Sequence, residues 1–583
     1  MNRPTHHERL GRRKACDLCC KKKVRCDAKI PKCSTCLLRQ TDCTWTLDVV
    51  APKVAHRAEL SHQIRFSEIE SRLAAIEARF HSAETGERSR WPEWAGSGPV
   101  SEQLSSLDPP GKTWIGGASF PLSQPLGGTS SAFDLPPSNQ VFALVAKYFR
   151  GPNQAIPLFD QPSFMQMLQD WYQQPSTRDS ASWASINVVL ALSAHHDRLP
   201  GNEKLAQECL NKAQSVLNIL VSREEDLKGI QVLLGLVTLF LGSPHPQPTC
   251  VLIATAVKLA HRLRLHARDS RRPANGEVSL QMDRLFWITY VLDRDICLRA
   301  VEPYAQQEDD FDVQQPGLTA PDDGAGMLKI NDIRFNYFHL RVQLAQIQGL
   351  TYRMIFSVKA EKLPADQRQA AAEYIDGLLH SWQASIPAQL LPEHILAAQK
   401  EPSDAHMHLI CLHLDAYHVL FTAHRIHARD SDWIHRLTTF SDRFATSTER
   451  NVTTIAHTPD STNSSFMLFP PNWTYFVEVA RLCIRLIRMI EWNNNSRFWT
   501  AICIHQTALI ILIANNLTVE ESNVHDQINA DAQLISDAMQ YSQDAMTLQS
   551  DNESVAMLAE LHGACLKLHK RALKAIQRLQ TRV

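Results

Sequence analysis

The chain has 583 residues, 44% of them hydrophobic and 21% charged, with a formal net charge of −1. These values exclude a collagen-like chain, a disordered tail and a disulfide-dense miniprotein, and they fit a soluble globular protein of more than one domain. The first residues carry no apolar stretch of the kind that opens a secretory signal.

The near-neutral charge hides a division. Residues 1–47 hold twelve Lys and Arg against four Asp and Glu, a net +8 that leaves −9 for the other 536 residues. A basic head on an acidic body points to a polyanionic partner for the head. Cysteine divides the same way, with seven of fourteen in the first 43 residues. The other seven are scattered through apolar helical patterns and read as small buried hydrophobes.

Six of the clustered cysteines repeat one spacing. Cys16, Cys19 and Cys26 are followed by Cys33, Cys36 and Cys43, each triplet being Cys-x2-Cys-x6-Cys. Thiolates select zinc, and a structural zinc takes four tetrahedral ligands. Six thiolates hold two such ions if two of them bridge, and the internal repeat suggests equivalent cysteines of the two triplets. So small a domain has almost no apolar core, so metal binding must supply most of its folding free energy.

This pattern resembles the fungal zinc binuclear cluster transcription factors, in the flanking residues Ala15, Asp17, Asp27, Pro31 and Lys32 as well as in the cysteines. The resemblance implies two zinc ions per chain, with Cys16 and Cys33 bridging, Cys19 and Cys26 completing one site, and Cys36 and Cys43 the other. Cys20 stands where the family usually has Arg and is expected to be unliganded. The run CKKKVR over 20–25 projects cations toward phosphates and guanine acceptors of double-stranded DNA. By resemblance Lys22 and Lys23 read a CGG-like triplet, Lys23 foremost, while Lys21, Arg25 and Lys32 hold phosphates. Arg12-Arg13-Lys14 with Lys21-Lys22-Lys23 forms a two-part basic signal for the nucleus.

Over 62–81, Phe66, Ile69, Leu73, Ile76 and Phe80 are spaced 3-4-3-4, an a/d seam of two heptads. With Phe66 at a, the g positions are Arg65 and Arg72 and the e positions Glu70 and Glu77, opposite in sign, as a parallel homodimer requires. Residues 82–137 are rich in Ser, Pro, Gly and Thr and read as a flexible linker. The string PPGKT within them lacks the first glycine of a phosphate loop and any leading strand.

Residues 138–583 read as one large all-α domain, with apolar residues recurring at three and four positions and no strand pattern. TAICIHQTALIILIANN (500–516) carries a His and a Gln and is shorter than a membrane span, so it reads as a buried core helix. Segments within 140–320 resemble the regulatory domain, or middle homology region, found behind such zinc clusters. Two departures stand out: Arg264 where Gly is usual, and Ala300-Val301-Glu302 in place of a small, glycine-containing turn. Arg284, Trp287, Asp293 and Arg294 are expected to form a buried polar network. The histidines at 406, 408, 413, 418, 424 and 427 lack metal-site spacing, and no motif for a nucleophile or nucleotide occurs.

The expected function is therefore that of a nuclear, zinc-dependent, sequence-specific transcription factor. It would bind CGG-like DNA as a homodimer and activate one pathway or biosynthetic gene cluster. The transcription machinery or co-regulators are its expected partners, and a small-molecule effector could sit between the body's helices. A repressor of the same family is the alternative; an enzyme with an appended zinc module is the reading from another class.

Overall fold

Each cysteine triplet starts a short helix. In the computed structural model, α1 (Asp17–Lys21) follows Cys16 and α2 (Ser34–Leu38) follows Cys33. The structure describes residues 16–24, 26–27, 32–43, 133–196, 202–222, 227–241, 247–268, 276–317, 324–398, 402–427, 430–446, 468–490, 495–516, 524–548 and 552–580. They belong to two units, Met1–Gln124 and Pro125–Val583. The expected dimerisation residues 66–80 and nearly all of the expected linker lie outside the described residues.

In the first unit both helices end alike. The amide of Val24 donates to the Cys19 carbonyl (3.1 Å) and that of Thr41 to the Cys36 carbonyl (3.1 Å). The residue before each donor, Lys23 and Gln40, has a positive φ of 53° and 52°. This six-to-one closure with a left-handed residue is a standard helix C-terminus. The 17-residue repeat of the cysteines is thus also a repeat of backbone conformation.

The longer helices of the second unit run in chain order as α3 (Ser138–Arg150), α4 (Gln161–Gln173), α5 (Ser180–His196), α6 (Asn202–Gln214), α7 (Leu227–Phe240), α8 (Gln247–Arg262) and α9 (Gly276–Ala300), then α10 (Tyr337–Thr351), α11 (Ala365–Ala384), α12 (Asp404–Ala423), α13 (Ser431–Thr446), α14 (Trp473–Ile487), α15 (Asn495–Asn515), α16 (Val524–Leu548) and α17 (Asn552–Gln580). Among the described residues the all-α expectation holds but for one hairpin, β1 (Met327–Ile330) with β2 (Ile333–Asn336), in which Ile330 faces Ile333 across a two-residue turn. No described helix is long and apolar enough to cross a membrane.

Two large hydrophobic cores, beside two clusters of three buried residues each, fill the described part of this unit. One gathers α3 to α9 with part of α10, and the other gathers α10 to α17. The apolar run at 500–516 forms α15, packed between α12, α14, α16 and α17 and buried from Ala508 to Ala514. Residues 133–137, expected in the linker, are packed instead. The Phe133 ring lies 5.9 Å from that of Trp171 and 5.5 Å from that of Trp183, and Tyr172 donates to the Pro136 carbonyl (2.8 Å).

α9 packs on α8 and α10 and is buried at every residue from Gln281 to Leu298. A helix buried all round is ordinarily apolar, yet this one carries charges, and Asp283, Asp293, Arg294 and Asp295 among them are ion-paired. The Arg294 side chain is 0% exposed and bonds Asp293 Oδ2, the Gln306 carbonyl and Glu308 Oε1, all at 2.7 Å. The rings of Tyr290 and Tyr304 sandwich its guanidinium at 4.2 and 3.7 Å. Asp293 also accepts the amides of Ala305 and Gln306 (both 3.0 Å), which folds the following loop back onto the helix. A Cβ on Gly349 of α10 would stand 2.6 Å from Arg294 Nε, so only glycine leaves room there. On another side of α9, Asp295 and Arg299 join Arg341 of α10 and Asp415 of α12 in a four-membered ion cluster. Of the expected network, Asp293 and Arg294 are its centre, while Trp287 bonds elsewhere, to the Gln314 carbonyl (2.8 Å).

The two unusual residues both fall where helices end. Arg264 after α8 and Val301 after α9 have positive φ (57° and 56°), with six-to-one bonds from Leu265 to Ala260 and from Glu302 to Cys297 (both 2.9 Å). Glycine is favoured at such positions because a Cβ meets its own carbonyl there, most severely for a β-branched residue. Val301→Gly is expected to stabilise the body by about 1 kcal/mol, because relief of left-handed strain outweighs the added unfolded-state entropy. Urea unfolding of the full chain checks this: a lowered midpoint would show that Val301 is not strained.

Candidate metal centre and nucleic-acid interface

The fully buried side chains of the first unit's described residues are all cysteine: Cys16, Cys33 and Cys36 at 0% exposure and Cys19 at 1%. Sulfur here takes the place of a hydrocarbon core. Sγ of Cys16 lies 3.6 Å from those of Cys33 and Cys36, and Sγ of Cys19 lies 3.7 Å from that of Cys33. Four sulfurs about 2.3 Å from one tetrahedral cation stand about 3.8 Å apart. The spacing is therefore that of a shared cation, and too long for a disulfide.

The sulfurs form two quartets. Those of Cys16, Cys19, Cys26 and Cys33 lie within 4.8 Å of one another, as do those of Cys16, Cys33, Cys36 and Cys43. Cys16 and Cys33 are common to both, which is the sharing that eight coordination positions from six ligands require. Two further features suit these roles. The Cys19 amide lowers the Cys16 thiol pKa against the opposing effect of burial, and the Cys36 amide does the same for Cys33. Burial, with the neighbouring sulfurs, pushes the Cys19 thiol up to about 12 and raises Cys36 as well. These outer thiols keep their protons at neutral pH until a cation displaces them, so metal uptake releases protons. Among the described residues, no other group of three or more His, Cys, Asp or Glu side chains has such geometry.

The basic run sits at the end of α1. Lys21, Lys22 and Lys23 are exposed, and the helix they close starts at the shared sulfur of Cys16. At the equivalent end of α2 stand Leu38, Arg39 and Gln40, so one half of the repeat carries three cations and the other carries one. Lys32 is exposed and lies 3.2 Å from Asp42 Oδ1, a surface pair that a phosphate could replace. Arg25 and the Cys20 side chain lie outside the described residues.

Asp27 plays a part that sequence spacing did not disclose. It accepts the Ser34 amide (2.9 Å) and hydroxyl (2.5 Å), tying the end of the first triplet to the start of α2. A carboxylate seven residues before a helix is not a local capping pattern, so only its place after Cys26, as Ser34 follows Cys33, pointed to it.

The rings of His418 and His427 lie 4.9 Å apart, but among the described residues the body's histidines form no group of three or more potential ligands. His413 is buried and donates from Nε2 to the Leu390 carbonyl (3.0 Å), and burial lowers its pKa to about 4. His424 Nε2 lies 2.9 Å from Asp376, and His406 caps α12 at Ser403. They serve packing and capping.

Residues 14–49 match the fungal Zn(2)-Cys(6) binuclear cluster domain, and residues 145–381 match the fungal specific transcription factor domain. The chain is similar to an ABC-transporter-regulating transcription factor of Aspergillus oryzae, with 27% identity across 97% of this chain and 73% of the relative. Its counterpart in Aspergillus fumigatus is also 27% identical, across 88% of this chain and 68% of the relative. The fusaridione A cluster transcription factor of Fusarium heterosporum is 25% identical across 67% and 70%. No solved structure matches the chain.

Cys16→Ser removes a sulfur common to both quartets, whereas Cys26→Ser removes one from a single quartet. Metal analysis of the purified full-length variants should therefore find the larger loss of zinc in Cys16→Ser. Equal zinc in Cys16→Ser and the parent would break the assignment.

Proposed function

With both domains present, the chain belongs to the fungal zinc binuclear cluster transcription factors, and on that premise we propose that it is a nuclear activator reading CGG-like triplets as a homodimer. The observation that carries the reading is the pair of cysteine quartets sharing Cys16 and Cys33, with an exposed tri-lysine turn at the end of the helix that Cys16 starts. Two zinc ions would be held by Cys16, Cys19, Cys26, Cys33, Cys36 and Cys43. They would supply fixed positive charge and cross-link the two triplets, and the chain would supply the contacts. Lys22 and Lys23 would meet guanine O6 and N7 in the major groove, and Lys21, Arg25 and Lys32 the phosphates. The left-handed backbone at Lys23 turns the chain sharply at the residue given the reading role, which supports a protruding contact point.

Residues 1–47 form the DNA-binding domain, 62–81 the dimerisation coiled coil through Phe66, Ile69, Leu73, Ile76 and Phe80, and 138–583 the regulatory domain that meets co-regulators or the transcription machinery. A biosynthetic cluster is one kind of target. The greater reach of the similarity to the two ABC-transporter regulators, 97% and 88% of the chain against 67% for the cluster regulator, favours transporter genes as the second reading.

In gel-shift titrations of the zinc-loaded full chain, Lys23→Ala should weaken binding to CGG-bearing DNA by about 1–3 kcal/mol and relax triplet preference. Leu73→Asp should abolish the advantage of a duplex with two triplets over one with a single triplet. Unchanged affinity and preference in Lys23→Ala would remove that lysine from the reading role. Fused to a foreign DNA-binding head, residues 138–583 should raise transcription of a reporter; lowered transcription would establish a repressor.

A further inference from the structure

A cavity of 210 Å³ lies where the body's two cores meet, with α9 and α10 forming part of its wall. Its lining is mostly apolar, including Leu158, Leu239, Ile288, Val291, Leu292 and Leu414. Asp295, Arg299, Arg341 and Asp415 supply the charged part of the lining. Their side chains are 3%, 18%, 8% and 10% exposed. Burial pushes the Asp295 carboxyl up, but Arg299 and Arg341 outweigh it and hold it at about 2. Asp295 and Asp415 in turn overcome the effect of burial on Arg341 and raise its pKa. The four side chains pair two cationic with two anionic groups, so the cluster is neutral overall.

One bond in this cluster is incomplete. Arg341 Nη2 pairs with Asp295 at 3.1 Å, but Nη1 stands 3.3 Å from Asp415 Oδ2 without hydrogen-bond geometry and has no other acceptor. A buried donor without an acceptor is costly, and it rewards a ligand that brings one. Leu192, His195, His196, His408 and Cys411 line the same cavity and are partly exposed, which gives it a mouth. Gly151 allows this arrangement, because a Cβ there would stand 3.0 Å from His196 Nε2.

We infer that this cavity binds an uncharged lipophilic molecule with a single hydrogen-bond acceptor, of the ketone, ester or alcohol class, the acceptor meeting Arg341. The volume matches about seven waters, hence a body of roughly ten non-hydrogen atoms. A carboxylate would add a third negative charge beside Asp295 and Asp415, and an amine a third positive charge beside Arg299 and Arg341, so both are disfavoured. Because the lining draws on both cores, an occupant bridges them and stabilises their union.

The test is a saturation-transfer NMR titration of the zinc-loaded full chain with acetophenone, ethylbenzene and benzoate. Acetophenone should bind saturably at about millimolar concentration. Ethylbenzene, which lacks the acceptor, should bind several-fold more weakly, and benzoate no more tightly than acetophenone. Leu192→Trp, at a partly exposed lining residue, should weaken acetophenone by about tenfold or more. Leu241→Trp, at another partly exposed lining residue, serves as the plug if Leu192→Trp does not fold. Absence of saturable acetophenone binding, or equal binding to the parent and a folded plugged variant, would overturn the site. Ethylbenzene equal to acetophenone, or benzoate tighter than it, would overturn the ligand class. Binding is read on the body, so these outcomes do not depend on whether the head recognises DNA.

Discussion

Everything the first unit does depends on six sulfurs standing in for a core. Among its described residues the fully buried ones are cysteine, which leaves too little apolar surface there to offset the entropy of ordering the chain. Sγ of Cys16 stands 3.6 Å from those of Cys33 and Cys36, and Sγ of Cys19 stands 3.7 Å from that of Cys33, a spacing that suits a common cation. Sharing Cys16 and Cys33 between quartets turns two weak local loops into one rigid object. The same sharing imposes the 17-residue repeat, down to the left-handed residues Lys23 and Gln40 that end the two helices. In the proposed reading, such rigidity would let three adjacent lysines act as a template for nucleic acid instead of a diffuse charged patch.

Within that symmetric frame the charge is asymmetric. Backbone and ligands repeat, but the exposed helix ends do not: Lys21, Lys22 and Lys23 in one half face Leu38, Arg39 and Gln40 in the other by position. The fold thus supplies two equivalent platforms, and side-chain choice makes one of them the cationic one. Phosphate attraction follows from the charge, while discrimination among base pairs requires the platform to be held still.

The body solves a different problem, that of charges inside a helix buried on all sides. Leaving any of them unpaired would cost several kcal/mol, so α9 organises its surroundings. Arg294 and Asp293 draw in the loop that ends at Glu308, and Asp295 with Arg299 recruits α10 and α12. Gly349 is the steric counterpart of this arrangement, since its missing Cβ is the space Arg294 occupies. The cavity beside the second cluster lies where the two cores meet around α9 and α10.

Much of this was legible in the chain itself. The cysteine spacing, the basic run, the helical character of the body and the apolar segment that became α15 all depend on residues near one another in sequence. Even the departures at Arg264 and Val301 marked real features, because left-handed helix ends are local. The four-residue strands of the hairpin escaped notice: MLKI and IRFN are too short to show alternation. Phe133 was assigned to a linker because its partners, Trp171 and Trp183, lie about 40 and 50 residues away. So the sequence alone determined the metal chemistry, the sign of charge at each end and the fold class. Only the tertiary structure decided how the buried charges pair and where the cavity lies, because each of those is set by distances between atoms that the chain brings together from remote positions.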